Sequence, residues 1–177
     1  MLLSAFFGNA VAEPPVEQQR EELGSMAESA LADLYARQPE AEEVVRRAAG
    51  YAVFSSFGAK FGVAGTGKGK GLAINNKTGH VTYMKVLEAQ AGLGFGIKKY
   101  RLIWVFDTQS AFDEFITKGR QIGGQATLNA RASGKGKGAT GAASVDQGVW
   151  LYQLTDDGLA AEITLKGSQY FRDKDLN

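Results

Sequence analysis

Two pentapeptides alternate glycine and lysine: Gly67-Lys68-Gly69-Lys70-Gly71 and Gly134-Lys135-Gly136-Lys137-Gly138. Glycine leaves the backbone N–H unshielded and permits positive φ, and the ammonium groups between add positive charge. Such a segment can cradle an anionic group. The same composition suits a surface turn whose lysines keep a sheet edge soluble, and the residues alone favour that plainer role. Further cations stand at Lys98-Lys99-Tyr100-Arg101, and later at Arg120 and Arg131. On a sheet that curls, Lys68, Lys70, Lys98, Lys99, Arg101, Lys135 and Lys137 can share a rim. Apolar strand ends beside cationic loops fit the boundary between lipid headgroups and acyl chains, where each lysine contributes about 1 kcal/mol on an anionic surface.

Other chemistries find less support. The chain has no cysteine, which excludes disulfides, thiolate metal sites and cysteine nucleophiles. Its one histidine, His80, follows a turn and has no second histidine near it, as expected of a structural residue. Asp156-Asp157 reads as a hairpin turn and Asp173 with Asp175 as a terminal tail; neither has the spacing of a calcium loop. Ser55, Ser56 and Ser133 have no base nearby in the sequence. Gly92-Leu93-Gly94-Phe95-Gly96 leads into a strand, not the helix a dinucleotide fingerprint needs, and no helix follows Lys70 as a P-loop would require. The expectation is a protein that is not an enzyme and carries no cofactor or metal. A net charge of +1 over 177 residues gives no global basic field, so nucleic acid is not expected as a partner.

The elements that must position these residues follow from periodicity. Leu23, Met26, Ala27, Ala30, Leu31, Leu34 and Tyr35 recur at spacings of three and four, which predicts a helix with one apolar face. Pro14 and Pro15 suit its start; Pro39 suits the start of a second helix carrying Val44, Val45 and Ala48, with Gly50 as its stop. The more acidic than basic polar face of the first helix favours packing on a sheet over docking on anionic lipid. From Tyr51 the pattern turns extended, with runs at 51–55, 60–64, 72–75, 80–91 and 101–106 and a turn at Asn76-Lys77-Thr78-Gly79. One helix interrupts, capped by Asp107 or Thr108, with Phe112, Phe115 and Ile116 inward and Gly119 at its end. Strands resume at about 121–132 and 139–145, and a final hairpin joins Val149–Thr155 to Leu159–Leu165 through Asp156-Asp157-Gly158. The fold class is therefore α+β: N-terminal helices, then a curved, barrel-like antiparallel β core with one inserted helix.

Residues 1–12 read as the remnant of a signal peptide. Met1–Phe7 is apolar, and Ala10-Val11-Ala12 is an A-x-A cleavage pattern, although the usual positive start is missing. Cleavage after Ala12 would leave 13–177 as a single domain, periplasmic or secreted.

The stretch Ala49-Gly50-Tyr51-Ala52-Val53-Phe54-Ser55-Ser56, followed by Gly62 to Gly71, resembles the opening of the SYLF domain, the Ysc84 actin-binding family. Ile103 to Asp107, the helix from Phe112 to Gly119, Gly123-Gly124-Gln125-Ala126 and Gly158 to Ser168 continue in the same order, so the resemblance spans roughly 25–172. It implies lipid binding: eukaryotic members bind phosphoinositides and related acidic lipids, and some bundle actin. This chain resembles the bacterial exported type, so actin is not carried over. The second glycine–lysine copy departs from the family pattern, which makes Lys68 and Lys70 better candidates than Lys135 and Lys137. The expected function is non-enzymatic binding of acidic phospholipid, with phosphoinositide-like headgroups, in the bacterial envelope. The alternative is a periplasmic scaffold domain whose β surface binds an envelope protein; salt-sensitive binding would favour lipid.

Overall fold

The computed structural model describes residues 12–129 and 140–177; along 57–66, 89–98, 123–130, 162 and 164–166 side-chain placement is not part of that description. The signal-peptide reading of the N-terminus and the second glycine–lysine segment thus lie outside the described residues. In chain order the elements are α1 (Val16–Arg37), α2 (Glu40–Arg47), β1 (Gly50–Asn75), β2 (Val81–Phe106), α3 (Gln109–Lys118), β3 (Arg120–Asn129), β4 (Ala143–Asp146), β5 (Val149–Thr155), β6 (Gly158–Leu159) and β7 (Glu162–Arg172). This is the α+β architecture expected: helices first, then a curled antiparallel sheet with one inserted helix.

The centre of the fold is a long two-stranded ribbon. β1 and β2 pair from Gly50 opposite Phe106 to Ile74 opposite Val81, with one irregularity between Gly62 and Ala64. The separate short runs expected from the sequence are one continuous strand on each side, because ladder pairing overrides the low strand preference of glycine. The ribbon turns at Asn75, whose Oδ1 accepts from the backbone N–H of Lys77 and Thr78 at 3.0 and 3.1 Å, with Gly79 at φ 71°. It also doubles back on itself. A Cβ on Gly50 would stand 2.8 Å from the Ile74 carbonyl, and one on Gly69 or Gly71 would collide with the Ser55 or Val53 carbonyl. The chain folds this way because glycine lets the two arms of β1 approach closely. Gly50 is therefore the first residue of the sheet and not a helix stop; α2 ends at Arg47.

β2 takes different partners along its length. Met84–Glu88 pair with β7, which pairs with β3, and Arg101–Phe106 pair with β5, which pairs with β4. The final hairpin differs from expectation. β6 lasts two residues against Leu154 and Thr155, and the chain then leaves for β7 on the other arm. The reason is occupancy: β2 holds one edge of β5, and β4 already fills the other beside Trp150 and Leu151.

Alternation along the ribbon builds two cores. Val53, Leu72, Ile103 and Val105 face outward, onto Leu23, Ala27, Ala30 and Leu34 of α1 and Ala41 and Val45 of α2. Both N-terminal helices thus pack on the sheet, as their apolar faces predicted. Phe54, Met84, Val86, Leu102, Trp104 and Phe106 face inward, onto Phe112 and Phe115 of α3 and Tyr170 of β7. Thr108 caps α3, its Oγ1 accepting from the Ala111 N–H at 3.2 Å, while Asp107 instead accepts from Trp150 Nε1 at 2.9 Å. Trp104, Phe115 and Tyr170 meet at centroid separations of 5.1–5.7 Å, contacts worth about 0.5–1.5 kcal/mol each beyond burial.

Candidate functional site

Gly67–Gly71 is strand, not loop. It stands in register with Glu88–Met84, and the positive-φ glycines described in the chain all lie elsewhere. Its backbone amides therefore belong to a sheet and form no anion-cradling turn, which removes the backbone half of that expectation. The lysine side chains remain, and alternation sends both to the outer face. Lys68 is exposed. Lys70 is half-buried and donates from Nζ to Gln19 Oε1 of α1 at 2.7 Å.

Lys99 and Arg101 lie on the other arm of the ribbon, opposite Phe57 and Ser55. Because Gly69 rests against the Ser55 carbonyl, these two cations and Lys68 occupy neighbouring arms of one face. Arg101 is engaged: its guanidinium meets Asp33 of α1 at 2.6 Å, and Arg37 reaches the same carboxylate at 2.8 Å. Arg37, reinforced by Arg101 and opposed by slight desolvation, holds the Asp33 carboxyl below its usual range. Lys99 is exposed. Together with Ser55, Tyr100, Arg101, Leu154, Thr155 and Asp156 it lines a cleft of about 130 Å³. Lys98 pairs with Gly58 in the ladder. Of the nominated cations, then, Lys99 and Arg101 share one cleft, Lys68 lies on the neighbouring arm of the same face, Lys70 sits beneath α1, and the Lys98 side chain with Lys135 and Lys137 falls outside the described residues. Arg120 stands apart, ion-paired with Asp146 at 3.3 Å.

An apolar residue sits beside these charges. Leu87 is opposite Lys68 in the ladder and is 51% exposed, the most exposed large hydrophobic side chain among the described residues. A lysine and a bare leucine opposite each other on one ribbon can meet a phosphate and an apolar layer at once.

Sequence reasoning missed the polar groups on the inner face. Glu88 is buried, and its carboxylate accepts a hydrogen bond from the Tyr100 hydroxyl. Burial pushes its pKa up, with the Tyr100 bond pulling the other way. The signal was available: Val81, Tyr83, Lys85 and Leu87 define one face, so Glu88 falls on the apolar one. Asp173 with Asp175, expected as a terminal tail, is docked on the sheet. Asp173 is buried and pairs with Lys85 at 2.9 Å, and Asn177 bonds both the N–H and the carbonyl of Tyr83.

Residues 87–177, just over half of the chain, match the family described as Ysc84, Las17-binding protein actin regulator. The chain belongs to the Ysc84 (SYLF) family. Some members of this family bind lipids or actin. The chain is also similar to Beta cell expansion factor A of Aeromonas veronii, 35% identical over 161 residues, which cover 90% of this chain and 59% of that protein. It thus spans about three fifths of that relative's length. The matched family segment begins at Leu87, so it contains Leu87, Lys98, Lys99 and Arg101, while Lys68 and Lys70 precede it.

Proposed function

We propose that this chain is a non-enzymatic module that binds acidic phospholipid surfaces, taking a headgroup phosphate between Lys99 and Arg101 and steadying the contact with Lys68 and Leu87. The observation that carries this is their placement: a cleft of about 130 Å³ lined by Lys99 and Arg101, an exposed lysine and a half-exposed leucine share one face. Membership of a family in which some members bind lipids supports it. So does the energy scale. Two exposed lysines contribute about 1 kcal/mol each on an anionic surface. Covering the exposed part of Leu87 adds about 1 kcal/mol more. The sum gives weak, salt-sensitive attachment that several copies on one surface would strengthen.

The place of action proposed is the bacterial envelope, after cleavage following Ala12 in the A-x-A pattern. The partner is the membrane surface and not actin. The test is titration of phosphatidylglycerol vesicles at rising salt against phosphatidylcholine vesicles, with Lys99→Glu alongside. Binding restricted to the anionic vesicles, weakened by salt and lost in Lys99→Glu, is the expected result. Equal binding to both vesicles, or to neither, would replace this reading with a protein-binding scaffold.

A further inference from the structure

Glu88 and Tyr100 lie twelve residues apart on β2, on opposite arms of the doubled ribbon, and their hydrogen bond joins those arms. Tyr100 also forms part of the cleft wall, between Lys99 and Arg101. The Tyr100 ring turns to the Glu88 side of the sheet while its chain neighbours Lys99 and Arg101 face the cleft, so Glu88 is bonded to the strand segment that builds the proposed anion site. Charged groups divide by face: Lys98, two residues before Tyr100 in β2, falls on the Glu88 face by alternation, and its side chain lies outside the described residues. The ladder neighbours of Glu88 are Gly67 of β1 and Ser168 of β7. Ser56 of β1 and Tyr170 of β7 act on Tyr100 from the same side, and α3 contributes the ring of Phe115 against Tyr170. Arg120 acts on Tyr170 from farther out but is held by Asp146. Lys68, Lys85, Lys99 and Arg101 belong to the opposite face of the ribbon by strand alternation. No described cation forms an ion pair with Glu88.

We infer that Glu88 and Tyr100 form a proton-controlled clasp behind the cleft: ionised Glu88 opposes an anion held by Lys99 and Arg101, and protonated Glu88 lets the cleft hold that anion more tightly. This rests on the headgroup reading of the cleft. The raised pKa agrees with it, since burial favours the neutral acid. A carboxyl whose pKa is raised on folding costs stability when ionised. That cost is present above the folded-state pKa and is relieved as pH falls through it.

The test uses the full chain and vesicles of phosphatidylglycerol in phosphatidylcholine, whose phosphodiester charge stays constant between about pH 7.5 and about pH 5. All variants carry His80→Asn, which removes the chain's one histidine from the comparison. The His80→Asn parent should bind about threefold to tenfold more tightly at the acid end. Glu88→Gln should bind at the acid level throughout. Tyr100→Phe removes the bond that favours the carboxylate, so the midpoint should move to higher pH. Glu88→Gln retaining the parental pH dependence would overturn the inference. Melting temperatures without vesicles separate the two layers. Glu88→Gln should melt above the parent at about pH 7.5 and level with it in acid. A flat melting difference overturns the buried-charge premise even where vesicles bind. No vesicle binding at any pH overturns the headgroup reading, and the coupling with it, even where the melting difference appears.

Discussion

The two faces of the β1–β2 ribbon handle charge in opposite ways. On the outer face Arg101 has Asp33, Lys85 has Asp173 and Lys70 has Gln19. Each of these partners comes from outside the ribbon, from α1 or from the C-terminal tail. On the inner face Glu88 stands among aromatic rings with a phenol for company. Outer charges can be matched because elements packed there bring polar side chains of their own. The inner face is closed by α3 and β7, which contribute Phe112, Phe115 and Tyr170. An inner charge therefore meets mostly apolar surroundings, and its ionisation becomes sensitive to the medium. The contrast also isolates the outer residues that remain open. Lys68, Lys99 and Leu87 are exposed on that face.

The largest expected break in this contrast is on the inner face. Trp104→Ala empties the middle of the aromatic cluster and should cost about 3–5 kcal/mol in denaturant unfolding. Next comes the fold-back itself. Gly71→Ala drives a methyl group against the Val53 carbonyl and the Phe54 ring and should cost about 1–3 kcal/mol by the same measurement. On the open strip, Lys68→Ala and Lys99→Ala should leave the unfolding midpoint where it is. Each should weaken attachment to anionic vesicles by about 1 kcal/mol, read by co-sedimentation. Asp33→Asn should cost stability only slightly, below about 1 kcal/mol, because its partners are partly solvated. Its sign with pH is fixed by the depressed Asp33 pKa: the loss is constant above about pH 4 and disappears as pH falls through the folded-state value. Because Asp33→Asn frees Arg101, vesicle attachment should strengthen while stability slightly falls.

Much of this architecture was legible from the chain alone, for identifiable reasons. The spacing of Leu23, Ala27, Ala30 and Leu34 marks a helix with one buried face, and those four residues are the ones buried. Thr108 and Gly119 bracket α3 as a cap and a positive-φ stop should, with Gly119 at φ 72°. What local pattern cannot carry is closure between distant parts of the chain. The glycines at 69 and 71 look like loop residues until the first arm of β1 is placed against them. The hairpin after Asp156-Asp157-Gly158 looks complete until β4 is seen to occupy the edge it would need. For the site, the cations were visible as types, but which of them stay free was not. Nothing near Arg101 in sequence announces Asp33, sixty-eight residues earlier. Strand alternation puts Leu87 on one side with Val81, Tyr83 and Lys85, but its exposure depends on what packs over that side.

The absence of cysteine makes the central claim open to a direct measurement. A single cysteine at Leu87→Cys, and separately at Glu114→Cys on the exposed side of α3, can each carry an environment-sensitive fluorophore. On phosphatidylglycerol vesicles the label at 87 should move into an apolar environment while the label at 114 stays in water, and salt should reverse the change. A label at 87 that stays wet on vesicles that bind the protein, or a shift at 114 instead, would contradict the face assigned here.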